Sequence, residues 1–229
     1  MQETLIIAPE RKLITPQQAH FDKTKAALRY QLMGRASCDE RWYVAVTALD
    51  LGLQYHTGFR KDGVTPEFQH QVMIALHLLT LEKNMIDAPR TIADALLHDL
   101  GEDYGDQISF EEIGERTDKI VEGDCRLLAK EYRGEKKSVR EYFDPMSKNF
   151  RISIVKGGDR VHNLSTMAGV FKLAKQIDYC DETEEHFFEF LKLARRNFPR
   201  QEPIYENLKF TMRTQIQIFR SVNAQGVAA

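Results

Sequence analysis

His98 and Asp99 stand side by side in the stretch Ala95-Leu-Leu-His98-Asp99-Leu-Gly-Glu102-Asp103. Adjacent helical residues point about 100° apart, so an imidazole nitrogen and a carboxylate at these positions can both reach one ion beside a helix. Residues four apart share a helical face, which sets Glu102 over His98 and Asp103 over Asp99. Two metal-ligating groups followed one turn later by two acids suit metal-assisted hydrolysis, the first pair holding an ion and the second handling the attacking water. Acids in the last turn of a helix oppose its dipole, and a bound cation would offset that cost. The dipeptide alone is weak evidence. After Ala95-Leu96-Leu97, His98 reads equally well as a core histidine, and Asp99 as a solvated helix residue.

Two further patches carry chemistry-bearing residues. Upstream lies His56-Thr-Gly-Phe-Arg60-Lys61-Asp62-Gly63, followed by His70. Downstream lies Lys156-Gly-Gly-Asp159-Arg160-Val-His162-Asn163-Leu-Ser-Thr166. The Arg60 guanidinium can stack on a base or grip phosphate with two hydrogen bonds, whereas Lys61 acts as a point charge. Asp159, Asn163 and Thr166 recur at helical spacing and share a face. The plain alternatives are two solvated loop cations and a local Asp159–Arg160 ion pair. Met167, Phe171 and Leu173 read as core.

In this order the three patches resemble the hydrolase domain of the RelA/SpoT family, part of the HD superfamily of metal-dependent phosphohydrolases. The family pattern is His-x-Gly-x-x-Arg-Lys-x-Gly ending in a metal-binding His, then His-Asp-x-x-Glu-Asp, then Asp-Arg-x-His-Asn. The resemblance implies an all-α fold, the HD-domain helical bundle. It implies His70, His98, Asp99 and Asp159 as metal ligands and Glu102 and Asp103 as the catalytic acids. It places Arg60 on guanine and Lys61 toward phosphates, with Asn163 and Thr166 holding the nucleotide. Two imidazoles and two carboxylates suit manganese, with iron, zinc or magnesium as alternatives. The implied reaction removes the 3′-pyrophosphate from guanosine tetra- and pentaphosphate, giving GDP or GTP and pyrophosphate, in a free-standing version lacking a synthetase domain.

The chain departs from the pattern in one loop. Arg60 and His70 are ten residues apart where the family has nine. The family's Gly-Glu-Pro-Tyr becomes Gly63-Val-Thr-Pro-Glu-Phe68, Asp62 stands where Ser is common, and Gln71 replaces a Pro. His56 and His77 therefore compete with His70 as the upstream ligand. Leu100-Gly101 stands where the family has two apolar residues, which suggests a softer helix. The altered loop keeps open another nucleotide substrate: an adenosine alarmone, NADPH or a pyrophosphorylated RNA end. A non-catalytic, antitoxin-like protein bound to a toxin-like synthetase is a third reading, against which the intact ligand set and acid pair argue.

The elements that must position these residues are helical. Thr15-Pro16 opens a helix to about Met33, and Trp42, Val46, Leu49 and Leu53 mark another over 38–56. Thr65-Pro66-Glu67 opens a helix to about Leu81, and residues 89–104 carry His98-Asp99. Ser109-Phe-Glu-Glu112 is a capping box ahead of a helix to about Tyr132. Residues 133–146 read mainly as loop, Ser147 starts a long helix through Asn163, and two helices near 181–197 and 203–220 follow. Residues 1–40 are expected to be an N-terminal helical extension packed on the core, 41–223 the hydrolase domain, and 224–229 a disordered tail.

Composition fits this reading. The chain has 229 residues with 42% hydrophobic and 29% charged content, ordinary for a soluble domain. Its net charge of -2 does not point to bulk nucleic-acid binding. The odd count of 3 cysteines, with no Cys-x-x-Cys, argues for buried free thiols and a cytoplasmic location. The apolar N-terminal run is too short for a membrane span. The expected partner is a small nucleotide, with a homo-oligomer or a synthetase partner left open.

Overall fold

In the computed structural model, residues 14–226 are described, except residue 133. The fold is all-α, with one two-residue-per-strand hairpin. Helix α1 (Pro16–Ala36) starts where Thr15 accepts a hydrogen bond from the Gln18 amide, with Pro16 at the first helical position. It buries Phe21, Leu28, Leu32 and Ala36 against α2 (Tyr43–Tyr55) and α3 (Gln69–Leu79).

At the centre lies α4 (Ala88–Leu97), capped by Asp87 and packed on α2, α3 and α9 (Ile152–Thr166). Ile92, Ala93, Ala95, Leu96 and Leu97 are all fully buried. Each large side chain so buried contributes about 1.5–3 kcal/mol. That apolar grip on both sides fixes the end of α4, where His98 follows.

The helix expected over 89–104 divides at the pair of interest. His98 closes α4, Asp99 leads into α5 (Leu100–Asp103), and the chain still turns helically there. The Asp103 amide donates to the Asp99 carbonyl at 2.8 Å, so the four-residue relation survives the division. Gly101 makes a close contact: a Cβ there would lie 2.2 Å from the Phe110 ring.

Further boundaries differ from the sequence expectation. The turn through Thr65–Phe68 delays α3 to Gln69, because Asp62 accepts from the Val64 and Thr65 amides and folds the loop back. Gly63 supports this turn at φ 72°, a left-handed conformation that favours glycine. The helix expected from Ser109 to Tyr132 is two, α6 (Phe110–Arg116) and α7 (Lys119–Leu128), because Asp118 caps a fresh start.

Residues 133–146 are not mainly loop. Strands β1 (Glu131–Tyr132) and β2 (Glu135–Lys136) form an antiparallel hairpin, and α8 (Val139–Ser147) follows from a Ser138/Glu141 capping box. Ser147 therefore ends one helix rather than starting the next. The Asn149 side chain accepts from the Arg151 and Ile152 amides and launches α9.

Helices α10 (Leu173–Glu182), α11 (Phe188–Asn197) and α12 (Glu202–Gly226) close the bundle. Residues 224–226, expected in a disordered tail, are helical, while 1–13 and 227–229 lie outside the described residues. Among the cysteines, Cys125 and Cys180 are buried but Cys38 is exposed. No helix among the described residues is long and apolar enough to cross a membrane.

Candidate metal centre and active site

Three elements far apart in sequence meet at one point. His70 stands on the first turn of α3, His98 and Asp99 at the α4–α5 junction, and Asp159 in the middle of α9. His70 Nε2 lies 3.2 Å from Asp159 Oδ1 and 3.9 Å from Asp99 Oδ2. His98 Nε2 lies 2.9 Å from Asp99 Oδ2 and 3.9 Å from Asp159 Oδ1. Ligand atoms of His70, His98 and Asp159 all fall within 4.8 Å of one another, so one ion could sit among them.

The donor set fits a divalent transition metal. His98 Nδ1 lies 2.9 Å from the Ala95 carbonyl, which accepts its proton and leaves Nε2 as a lone pair facing the cluster. That buried Nε2 faces the Asp99 carboxylate at 2.9 Å without meeting hydrogen-bond geometry, a cost that a metal would remove. Burial alone would push the His98 imidazole down, but the Asp99 carboxylate beside it, with Asp159, lifts it to about 9. Burial would raise Asp99, yet the neighbouring His98 brings it to about 2. Burial works against the Asp159 charge as well, and Lys156 holds that carboxyl well below the usual range. Two carboxylates that stay ionised and an imidazole that gathers a proton mark a place where positive charge is favoured.

Lys156 and His162, given no role above, complete the setting together with Asn163, which was expected to hold the nucleotide. Lys156 Nζ donates to Asp159 Oδ2 at 2.7 Å, and Asn163 Nδ2 donates to Asp159 Oδ1 at 2.5 Å. His162 Nδ1 lies 2.8 Å from His70 Nδ1. If His70 presents Nε2 as a ligand, its proton sits on Nδ1 and is donated to His162, which must be neutral to accept it. Burial, then His70 and Arg60, depress the His162 imidazole to about 3, which keeps it neutral. Lys156 and His162 stand three residues either side of Asp159, a helical spacing visible in the sequence. The contact of His162 with a residue on α3 is not.

Beside the cluster opens a cavity of about 440 Å³, within the range of small-molecule sites. Arg60, Lys61, Glu102, Asp103 and Asn163 all line it, together with Phe171 and Tyr179. Thr166 is not among the lining residues, and its hydroxyl donates to the His162 carbonyl. Phe171 packs against the core and also lines the cavity, Leu173 is exposed, and Met167 is buried as expected. Asp62 spends both carboxylate oxygens inside its own turn, the second accepting from the Thr65 hydroxyl. Arg160 leaves Asp159 for a slot between the Tyr179 and Phe187 rings, 3.8 Å from each, and donates to Glu182.

The two acids differ. Glu102 accepts the Lys130 amide at 2.9 Å, which ties it to the start of the hairpin. Asp103 is pushed up to about 7 by burial and by its neighbours Asp99, Glu67 and Glu102. Of the competing histidines, His77 faces Asn207 on α12 at 3.3 Å, away from the cluster. His56 is buried and sits beside Glu67.

Comparison with known proteins accords with this geometry. Residues 48–196 match the HD domain, a span that holds every residue of the cluster. A GTP pyrophosphokinase of Brucella melitensis is 30% identical over 141 residues, covering 57% of this chain and 18% of that protein. A guanosine-3′,5′-bis(diphosphate) 3′-pyrophosphohydrolase of Borreliella burgdorferi is 30% identical over 129 residues, covering 53% of this chain and 18% of that protein. A putative chloroplastic GTP diphosphokinase of Oryza sativa is 32% identical over 161 residues, 64% of this chain and 17% of its own length. The chain thus spans under a fifth of the length of these curated relatives. With the matched span covering well over half of it, the chain belongs to the HD-domain family of metal-dependent phosphohydrolases, and its relatives are of RelA/SpoT type.

Proposed function

We propose that this protein removes the 3′-pyrophosphate from guanosine tetra- or pentaphosphate, releasing GDP or GTP and pyrophosphate. One observation carries the reading: a buried cluster of His70, His98 and Asp159, with the half-buried Asp99 beside it, opens onto a cavity that also holds two loop cations and an acid poised near neutrality. His70, His98, Asp99 and Asp159 would hold manganese, with iron, zinc and magnesium as alternatives. When bound, the ion neutralises phosphate charge and acidifies a water molecule.

The chain's own groups do the rest. Asp103 accepts the proton of the attacking water at a carboxylate oxygen, and Glu102, held by the Lys130 amide, keeps negative charge beside it. Lys61 and Lys130 face the phosphates as point charges, and the Arg60 guanidinium stacks on the base. Asn163 orients Asp159, and His162 fixes the His70 ring. Pyrophosphate leaves as the bond between phosphorus and the 3′ oxygen breaks. The nucleoside product takes a proton at that oxygen.

The test is incubation of the manganese-loaded protein with guanosine tetraphosphate, following GDP and pyrophosphate. A substrate panel accompanies it, because Glu67 brings an extra carboxylate into the cavity within the altered loop. If guanosine tetraphosphate is inert while an adenosine alarmone, NADPH or a pyrophosphorylated RNA end is cleaved, the substrate assignment falls and the hydrolase reading stands. If all are inert with metal bound, an antitoxin-like role in binding a synthetase becomes the better account.

A further inference from the structure

A second cluster lies beside the first, and the proposed reaction does not account for it. His56 at the end of α2, Glu67 in the altered loop and Asp103 on α5 bring one ligand atom each within 4.8 Å of one another. His56 Nδ1 lies 3.8 Å from Glu67 Oε1. The His56 side chain is 0% exposed, and neither ring nitrogen has a hydrogen-bond partner. A buried imidazole with both nitrogens unmet is unfavourable, and native structures seldom leave one so. The ring is held from two sides: it stacks on Phe68 with centroids 5.5 Å apart and meets the edge of Tyr104 at 4.8 Å. Tyr104 also aims Glu67, its hydroxyl donating to Oε2 at 2.7 Å and leaving Oε1 toward His56. Burial lowers the His56 imidazole, which favours the neutral form that metals need.

We infer that His56, Glu67 and Asp103 form a second divalent-cation site on the wall of the same cavity. One imidazole and two carboxylates make a borderline-hard donor set suited to manganese or zinc. Three protein ligands leave the remaining positions to solvent. The site binds more weakly than the first, because it has fewer ligands and Glu67 already shares an oxygen with Tyr104. Glu67 stands in the loop where the chain departs from the family pattern. A cation here takes the Asp103 carboxylate that the proposed reaction uses as its base. Occupancy of the second site therefore opposes turnover, and activity passes through a maximum as manganese rises. This last point rests on the proposed function; the site itself does not.

The experiment strips the full-length protein with chelator and titrates manganese alone. Free ion is followed by electron paramagnetic resonance, and bound ion by elemental analysis after dialysis. Wild type should bind two ions per chain, the second at least tenfold more weakly. Glu67→Gln, which keeps shape and can still accept from Tyr104, should bind one. Asp99→Asn should lose the tight ion and keep the weak one. One ion per wild-type chain up to millimolar manganese would overturn the inference whatever the variants do, as would two ions in a folded Glu67→Gln. Two ions with Glu67→Gln reduced to one, but undiminished hydrolysis at high manganese, would uphold the site and refute Asp103 as the base.

Discussion

Replacing Asp103 by Asn tests the chemistry most directly. The change keeps shape and removes only the ability to take a proton. In the cavity Asp103 is raised to about 7, so near neutrality it is balanced between its two states, the condition that favours a general base. Loss of general-base help costs about 10²–10⁴ in rate, which is about 3–5 kcal/mol on the barrier. The pH profile should change with it. A base with a pKa of about 7 is roughly one-tenth ionised at pH 6 and half ionised at pH 7, so wild-type kcat/KM should be about fivefold lower at pH 6 than at pH 7. A nearby bound cation favours the carboxylate and moves the rising limb to lower pH, never higher. The variant should be flat over the same range. Both proteins should be assayed with guanosine tetraphosphate at manganese sufficient for the tight site, measuring bound metal at each pH. That control matters because His98, lifted to about 9, must release its proton before an ion can bind. If Asp103→Asn retains the acidic limb with unchanged metal content, or loses less than tenfold in rate, Asp103 is not the base.

Asp99→Ala should abolish tight metal binding and activity together; elemental analysis showing unchanged metal would exclude Asp99 from the centre. His162→Ala should weaken the tight ion about 10–100-fold, the usual scale for a group that orients a ligand, and His162→Gln, which can still accept from His70 Nδ1, should recover part of it. Arg60→Ala should raise KM with little change in kcat, because stacking on the base is present both before and during reaction; a loss confined to kcat would contradict that role. Gly101→Ala should destabilise the fold by about 1–3 kcal/mol through overpacking, since the added methyl would meet the Phe110 ring at 2.2 Å; urea denaturation showing no loss would mean the ring swings aside freely.

The amino-acid sequence by itself determined the class of fold and which residues could carry chemistry. Helical periodicity and the caps at Thr15 and Ser109 are local signals, carried by residues within one or two turns of each other. The same is true of Asp99 and Asp103, whose four-residue relation survived even where the helix divided. Lys156, Asn163 and Asp159 likewise lie on one helix, so their mutual bonds follow from spacing alone.

What the tertiary structure decided depends on groups that meet from distant positions. The choice of His70 over His77 rests on which face of α3 looks toward α4 and α9, and both lie on that one helix. The pairing of His70 with His162, 92 residues apart, has no local signature. Turn chemistry also outweighed a strong local signal: the Asp62 carboxylate closed its loop and delayed α3, although Thr65-Pro66 resembles the start of α1. The capping box at Ser138 went unread among the charges of 133–146, so a helix stood where loop was expected. The position of Asp103 near neutrality came from Asp99, Glu67 and Glu102 gathered around it in a partly buried place. Charge–charge interaction and burial depend on distance through space, and only the folded chain sets those distances.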